Sequence, residues 1–502
     1  MSDPYLITTA ISYPNGPPHI GHAYEAIAGD AIARFQRAQG RDVRFVGGTD
    51  EHGLKMNQTA RAQGRETIDL ADEMSGYFRK MVELFNLSYD EFVRTTEPRH
   101  HRASVALWKA MEEAGDLYLD RYEGWYSVRD EAFYDESELV AEEAGEKVSP
   151  QGTPVEWTAE ETWFFRLSKY QEPLLRLYRD NPDFIRPVSR RNEVLRFVEG
   201  GLKDLSVSRT SFDWGVPVPD SPGHVMYVWV DALTTYMTGV GYPDDRAEYD
   251  RYWPADVHLI GKDIVRFHAV YWPAFLMSAQ LPLPKQVFGH GFLLSRGEKM
   301  SKSVGNVVDP MELAERFGVD AVRYFFLREV PFGQDGSYNA EAIVNRANAE
   351  LANSFGNLAQ RTLSMIHKNL GGVLPPPGEA REDATLLAEV EQRCARLAEE
   401  FEGFAFSTGL EEWMAAVFAC NAYVDNMAPW ALKKTDPARM AAVLGTLVVA
   451  IRKLTLAVAP IVPGSAEQLL GVIDAGEDGT PIPQPTPLFP RLELPEAEEA
   501  AA

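Results

Sequence analysis

The first fifty residues constrain the fold most. Residues 5–10 form a short β-prone run, and Pro14-Asn15-Gly16-Pro17-Pro18 is dense turn punctuation. Ile20, Tyr24, Ile27, Ala31 and Phe35 then recur at helical spacing, and Gly40 ends the helix. A second strand, Val43-Arg44-Phe45-Val46, runs into Gly47-Gly48-Thr49-Asp50-Glu51-His52-Gly53. Strands that alternate with helices predict an α/β fold on a parallel sheet, with ligands at the carboxyl ends of its strands.

That rhythm breaks between about residues 115 and 225, a stretch rich in aromatic and acidic side chains with turn clusters such as Ser149-Pro150-Gln151-Gly152. It reads as an insertion with its own small sheet. The parallel pattern resumes near Met226; residues 257–261 read as another buried strand, followed by a helix from about Asp263. Beyond Lys302 the chain becomes mainly helical. Residues 345–470 carry long periodic helices, with loops at 371–377 and near Pro429, and residues 495–502 read as a solvated tail. With 502 residues and 45% hydrophobic content the chain has room for three or four packed units.

Bulk properties narrow the function. No apolar run approaches the ~18 residues of a membrane span. No basic region followed by an apolar stretch opens the chain, and no Arg-rich transit-like segment, so a cytoplasmic location is expected. Cys394 and Cys420 cannot make a disulfide framework or a cysteine zinc site, and read as small buried hydrophobes. A net charge of −25 argues against broad nonspecific nucleic-acid binding, while leaving room for a specific RNA held by a local basic face.

Two short segments carry the chemistry. His19-Ile20-Gly21-His22 puts two imidazoles in the first turn of the predicted helix, where free N–H groups and the dipole favour an anion. Gly21, lacking a Cβ, lets a flat base or a phosphate approach. Lys299-Met300-Ser301-Lys302-Ser303 puts two ammonium groups and two hydroxyls on a loop bounded by Gly297 and Gly305. Each alone also fits an ordinary surface turn. Together they describe a triphosphate site, with donors for the charge that grows on an α-phosphate and mobile positive charge for the departing pyrophosphate. Charge that closes mainly in the transition state raises the rate without over-binding the nucleotide.

The two segments resemble the paired signatures of class I aminoacyl-tRNA synthetases. Four further blocks narrow the resemblance to the methionyl-tRNA synthetases: Ile11-Ser12-Tyr13-Pro14-Asn15-Gly16, Gly48-Thr49-Asp50-Glu51-His52-Gly53, Tyr227-Val228-Trp229-Val230-Asp231-Ala232, and Gly261-Lys262-Asp263-Ile264-Val265-Arg266-Phe267-His268. They stand in the family's order, and the resemblance runs from about residue 5 to about residue 463. It implies a Rossmann-like catalytic domain in two halves, 1–115 and 226–290, around a connective insertion at 116–225. A stem-contact region with the lysine loop at 291–344, an all-α anticodon-binding bundle at 345–486 and a tail at 487–502 complete the expected plan.

The same resemblance assigns roles. His19, His22, Lys299 and Lys302 are catalytic; Gly21, Gly261, Asp263, Met300 and Ser301 join them in binding ATP. Ile11, Tyr13, Trp229, Ala232, Tyr236, Phe267 and His268 line a methionine pocket, and Asp50 anchors the ammonium. Residue chemistry agrees, because a flexible thioether suits aromatic, polarizable surroundings. Asn357 and Arg361, one helical turn apart, match the anticodon-reading set with Trp430, which offers a stacking plane. Residues 346–368 carry more basic than acidic side chains, against the trend of the chain. The implied activity is methionine–tRNA ligation. Its partners are L-methionine, ATP with Mg²⁺, and tRNA(Met), initiator and elongator.

The chain departs from many relatives in its insertion, which has no cysteine and so lacks the paired Cys-x-x-Cys zinc knuckles. No structural zinc is expected, and Trp125, Tyr126, Phe133 and Tyr134 are candidates for the insertion's packing core. The insertion is too short for a separate hydrolytic editing domain, and no oligonucleotide-binding-fold module follows the helices, which implies a monomer. Three rival readings remain: a class I synthetase for another apolar amino acid, a nucleotidyltransferase, and a catalytically silent tRNA-binding scaffold. The pocket set argues against the first and the helices at 345–470 against the second. Intact Asp50, His19, His22, Lys299 and Lys302 argue against the third.

Overall fold

A computed structural model describes residues 2–127, 132–134, 136–141, 147–295, 298–299 and 307–494. The chain splits into two compact units. One comprises Met1–Pro18, Gln36–Val82 and Ser88–His290; the other comprises His19–Phe35, Glu83–Leu87 and Gly291–Ala502.

The first unit is built on six strands, all parallel: β1 (Pro4–Thr9), β2 (Asp42–Thr49), β3 (Glu91–Arg94), β4 (Ile185–Arg186), β5 (Val257–Gly261) and β6 (Val287–His290). Their order is β3-β2-β1-β5-β6-β4. β5 and β6 are buried at every position, as strands of a covered parallel sheet must be. Ile7 of β1 stands opposite Val257 of β5. From β1 the chain first builds one side of the sheet and later the other, so β1 and β5 flank a switch point where such sheets open a ligand crevice. Close packing fixes Gly48 in β2, because a Cβ there would lie 2.0 Å from the Val93 carbonyl oxygen of β3.

Two local features differ from the sequence reading. β4 lies in the stretch read as an insertion yet joins the edge of the parallel sheet; two residues are too few to show a period. Val225–Met226 pairs antiparallel with Ser208–Arg209, so parallel pairing resumes only at β5. The insertion does carry its own antiparallel sheet, in which Leu117–Ser127 runs against Glu156–Phe165, flanked by Ala132–Tyr134 and Leu205–Ser206. Trp125 meets Trp157 edge-on at 5.4 Å and Tyr126 is buried. The Phe133 side chain lies outside the described residues.

The second unit is largely helical. Its helix Pro437–Val458 is long and apolar enough to cross a membrane, with mean hydropathy 1.9, although Arg452 and Lys453 interrupt its apolar run. Most of that stretch, 61%, is buried, and Val443, Leu444, Leu447, Ile451, Leu454 and Val458 repeat at core spacing. Arg323, on the helix Val319–Glu329, is wholly buried. It donates to Asp30 Oδ2 at 2.6 Å and to the carbonyls of Pro460, Ile461 and Phe85 at 2.9, 2.9 and 3.1 Å. Part of the expected tail is anchored: Asn348 donates to the Leu492 carbonyl at 2.9 Å and accepts from its N–H at 2.8 Å.

Candidate active site and RNA-facing surface

The first unit gathers its candidate residues at the carboxyl ends of β1, β2 and β5. Ile11 and Tyr13 follow β1, Asp50 follows β2, and Gly261 and Asp263 close and follow β5. The loops are knit together: Asp50 N donates to the Ser12 carbonyl at 2.9 Å and Ser12 N to the Gly48 carbonyl at 3.0 Å. Tyr13 Oη accepts from Met56 N at 3.0 Å. Gly261 accommodates its neighbour's carboxylate, since a Cβ would lie 2.8 Å from Asp263 Oδ1.

Trp229, Ala232 and Tyr236 share one face of the helix Val228–Thr238 by their three- and four-residue spacing. Trp229 stacks on Phe267 with centroids 3.8 Å apart and planes 5° from parallel. Tyr236 Oη lies 2.6 Å from His268 Nε2, and His268 Nδ1 lies 3.0 Å from the Ile264 carbonyl oxygen. A carbonyl can only accept, so Nδ1 carries the proton and Nε2 accepts from the tyrosine. Burial pushes the His268 imidazole down to about 4, which keeps it neutral near pH 7.

Behind that face lies a group that sequence reasoning quoted but did not assign. Asp231 is buried and accepts from His52 Nδ1 and His100 Nε2, each at 2.6 Å. Burial opposes its charge, but the imidazoles of His52 and His100 prevail and hold the carboxyl well below the usual carboxylate range. The signal was present in sequence: an acid inside the run Val228-Trp229-Val230-Asp231-Ala232-Leu233 must find a partner or stay out of the core.

In the second unit, His19 and His22 rings lie 3.9 Å apart. His19 Nδ1 accepts from Gly21 N at 3.0 Å, and His22 Nδ1 accepts from His19 N at 3.1 Å. Both ring protons therefore sit on Nε2. A Cβ on Gly21 would lie 2.8 Å from His19 Cε1, so the glycine makes room for the histidine's own ring. Lys299 belongs to the two-residue strand Glu298–Lys299, paired with Leu293–Ser295. Its side chain, and all of Met300, Ser301 and Lys302, lie outside the described residues.

Arg361 and Trp430 come together although 69 positions separate them (430 − 361). The guanidinium carbon lies 5.7 Å from the ring centroid, and the indole is 48% exposed. Asn357 opens the helix Asn357–Asn369 that also carries Arg361, and both are exposed. Among the described residues, no group of three His, Cys, Asp or Glu side chains is arranged to hold a metal ion.

Comparison with known proteins agrees with this architecture. The family model for tRNA synthetases class I (M) matches residues 5–363, and that for the anticodon binding domain of methionyl tRNA ligase matches residues 374–488. The chain is 57% identical to the methionine–tRNA ligase of Brucella suis, over 97% of this chain and 98% of that one. It is 55% identical to the methionine–tRNA ligase of Rhizobium meliloti, with 99% of each chain covered. Its structure matches Mycobacterium tuberculosis methionyl-tRNA synthetase in complex with methionyl-adenylate at a TM-score of 0.93 and 55% identity, covering 97% of this chain and 100% of that one. A parallel-sheet catalytic unit followed by an anticodon-binding helical domain defines a class I aminoacyl-tRNA synthetase. Within that class, the chain belongs to the methionyl family.

Proposed function

We propose that this chain is a methionine–tRNA ligase. It activates L-methionine with ATP to methionyl-adenylate and pyrophosphate, then transfers methionyl to the 3′-terminal adenosine of tRNA(Met), initiator and elongator. The observation that carries the reading is the pairing of a neutral Tyr236–His268 hydrogen bond with the Trp229–Phe267 stack. Polarizable rings and an uncharged imidazole suit a thioether, whereas a charged lining would demand a polar side chain.

Asp50 pairs with the methionine ammonium, while Ile11, Tyr13, Ala232 and the four aromatic residues enclose the side chain. The carboxylate then attacks the α-phosphate in line. His19 and His22 donate from Nε2 to the oxygens on which charge develops. Gly261 and Asp263 hold the ribose. Lys299 and Lys302, with Met300 and Ser301 on the same loop, draw off pyrophosphate. No side-chain nucleophile is needed, because positioning and electrostatics supply the rate. Mg²⁺ enters with the triphosphate; the described residues offer it no carboxylate cluster, and no step above depends on one. Asn357, Arg361 and Trp430 read anticodon bases by edge contacts and stacking. The 2′-hydroxyl is the acceptor, as the class implies, and the enzyme works as a cytoplasmic monomer, which light scattering checks.

The test is charging. The purified chain should load methionine onto tRNA with a CAU anticodon and leave the same tRNA with an altered anticodon uncharged. Equal charging of both would defeat the anticodon assignment, and charging of neither would defeat the function.

A further inference from the structure

A carboxylate inside an apolar helix is unfavourable unless paired, and Asp231 is 1% exposed. Its two oxygens are taken by different elements: Oδ2 by His52 in the loop after β2, Oδ1 by His100 on the helix Pro98–Glu113. His52 stands two residues beyond Asp50. Asp231 stands two residues beyond Trp229 and next to Ala232. One 2.6 Å hydrogen bond thus joins the loop that carries the ammonium anchor to the helix that carries three pocket residues. The residue between Asp50 and His52 is pinned as well. Glu51 is fully buried and accepts from Arg94 at 2.6 and 3.0 Å, from Thr96 at 2.6 Å and from Thr49 at 2.9 Å. With Glu51 tied to the end of β3 and His52 tied to the helix, the loop has no freedom to slide along the pocket.

We propose that the His52–Asp231 pair fixes the distance between the amine subsite and the thioether subsite, so that the enzyme selects its amino acid by length. The proposal rests on the assignment of Asp50, Trp229, Ala232 and Tyr236 to the methionine pocket. In this role His52 and Asp231 are positioning residues that act through Asp50 and the helix. An apolar lining alone discriminates weakly between side chains that differ by one methylene. A fixed separation adds rejection of S-methylcysteine, whose sulfur lies one methylene nearer the amine than in methionine, and of homomethionine, whose sulfur lies one methylene farther.

The experiment is ATP–pyrophosphate exchange on the full chain with methionine and both analogues. Loss of a charge-assisted hydrogen bond in His52→Ala should raise the methionine KM about tenfold. The kcat and the ATP KM should stay within about twofold. Preference for methionine over both analogues should fall about fivefold or more. His52→Asn, whose amide nitrogen falls where Nδ1 was, should bring KM and preference back to within about threefold of wild type. Unchanged preference in His52→Ala overturns the proposal. So does an asparagine variant as impaired as the alanine, or a joint decline of kcat and both KM values. If His52→Ala does not fold, the isosteric Asp231→Asn decides in its place: a smaller loss of preference supports the proposal, and wild-type preference overturns it. Asp50→Asn separates the two levels. If it leaves the methionine KM unchanged, the pocket assignment itself falls; if it raises that KM while His52→Ala does not alter preference, only the length-setting role falls.

Discussion

Lowering the pH from 7 to 5 should destabilise the first unit, and His268 carries a separable share of the loss. Its imidazole is buried and locked in the neutral form between Tyr236 and the Ile264 carbonyl. Burial lowers its value to about 4, against roughly 6.5 in an unfolded chain. Between those values the unfolded chain binds a proton that the folded chain refuses. The stability is therefore fully present above the unfolded value and is lost as pH falls toward the folded one. Linkage with these two values gives a loss of ~2 kcal/mol between pH 7 and pH 5 from this side chain alone. Urea unfolding at both pH values measures it, with His268→Gln as the comparison. The variant should be less stable at pH 7, because Tyr236 Oη loses its ring acceptor. Its stability should fall less on acidification, by about 2 kcal/mol. His258 is pushed well down mainly by burial, a contribution both proteins share, and to a lesser extent by His268 itself. Identical losses in both proteins would refute a neutral, buried His268.

Gly21→Ala should drive the His19 ring off its backbone partner, since the new carbon would lie 2.8 Å from Cε1. Exchange kcat should fall about 10- to 100-fold with the methionine KM unchanged, as expected for lost transition-state donation. Trp430→Ala removes a stacking plane worth about 1–3 kcal/mol. The tRNA KM should rise accordingly, while methionine-dependent exchange stays at the wild-type rate. Arg323→Leu leaves Asp30 buried without its guanidinium partner, although Arg34 still contacts it. Thermal unfolding should show a loss of about 3–5 kcal/mol, and a variant as stable as wild type would contradict the buried pair.

Much of this molecule could be read before any coordinates, where the information is local. The strand at residues 257–261 was legible because five buried positions follow one another between turn signals. The aromatic residues of the proposed pocket could be named from their chemistry, but not their geometry: nothing in the spacing says that Trp229 and Phe267 lie parallel at 3.8 Å. β4 stayed hidden because two residues have no period. The His52–Asp231 bond stayed hidden because its partners lie 179 positions apart. Gly21 was singled out for the approach of a ligand; the nearest atoms a Cβ there would meet are those of the His19 ring. Arg361 and Trp430 were matched one by one, and only the folded bundle shows the cation resting over the indole.

The most direct measurement is ATP–pyrophosphate exchange on the purified chain with each of the twenty amino acids in turn. Exchange should be rapid with methionine, nearly absent with the others, and lost in Lys302→Ala while methionine still binds. Brisk exchange with a different amino acid, or none with methionine, would contradict the account.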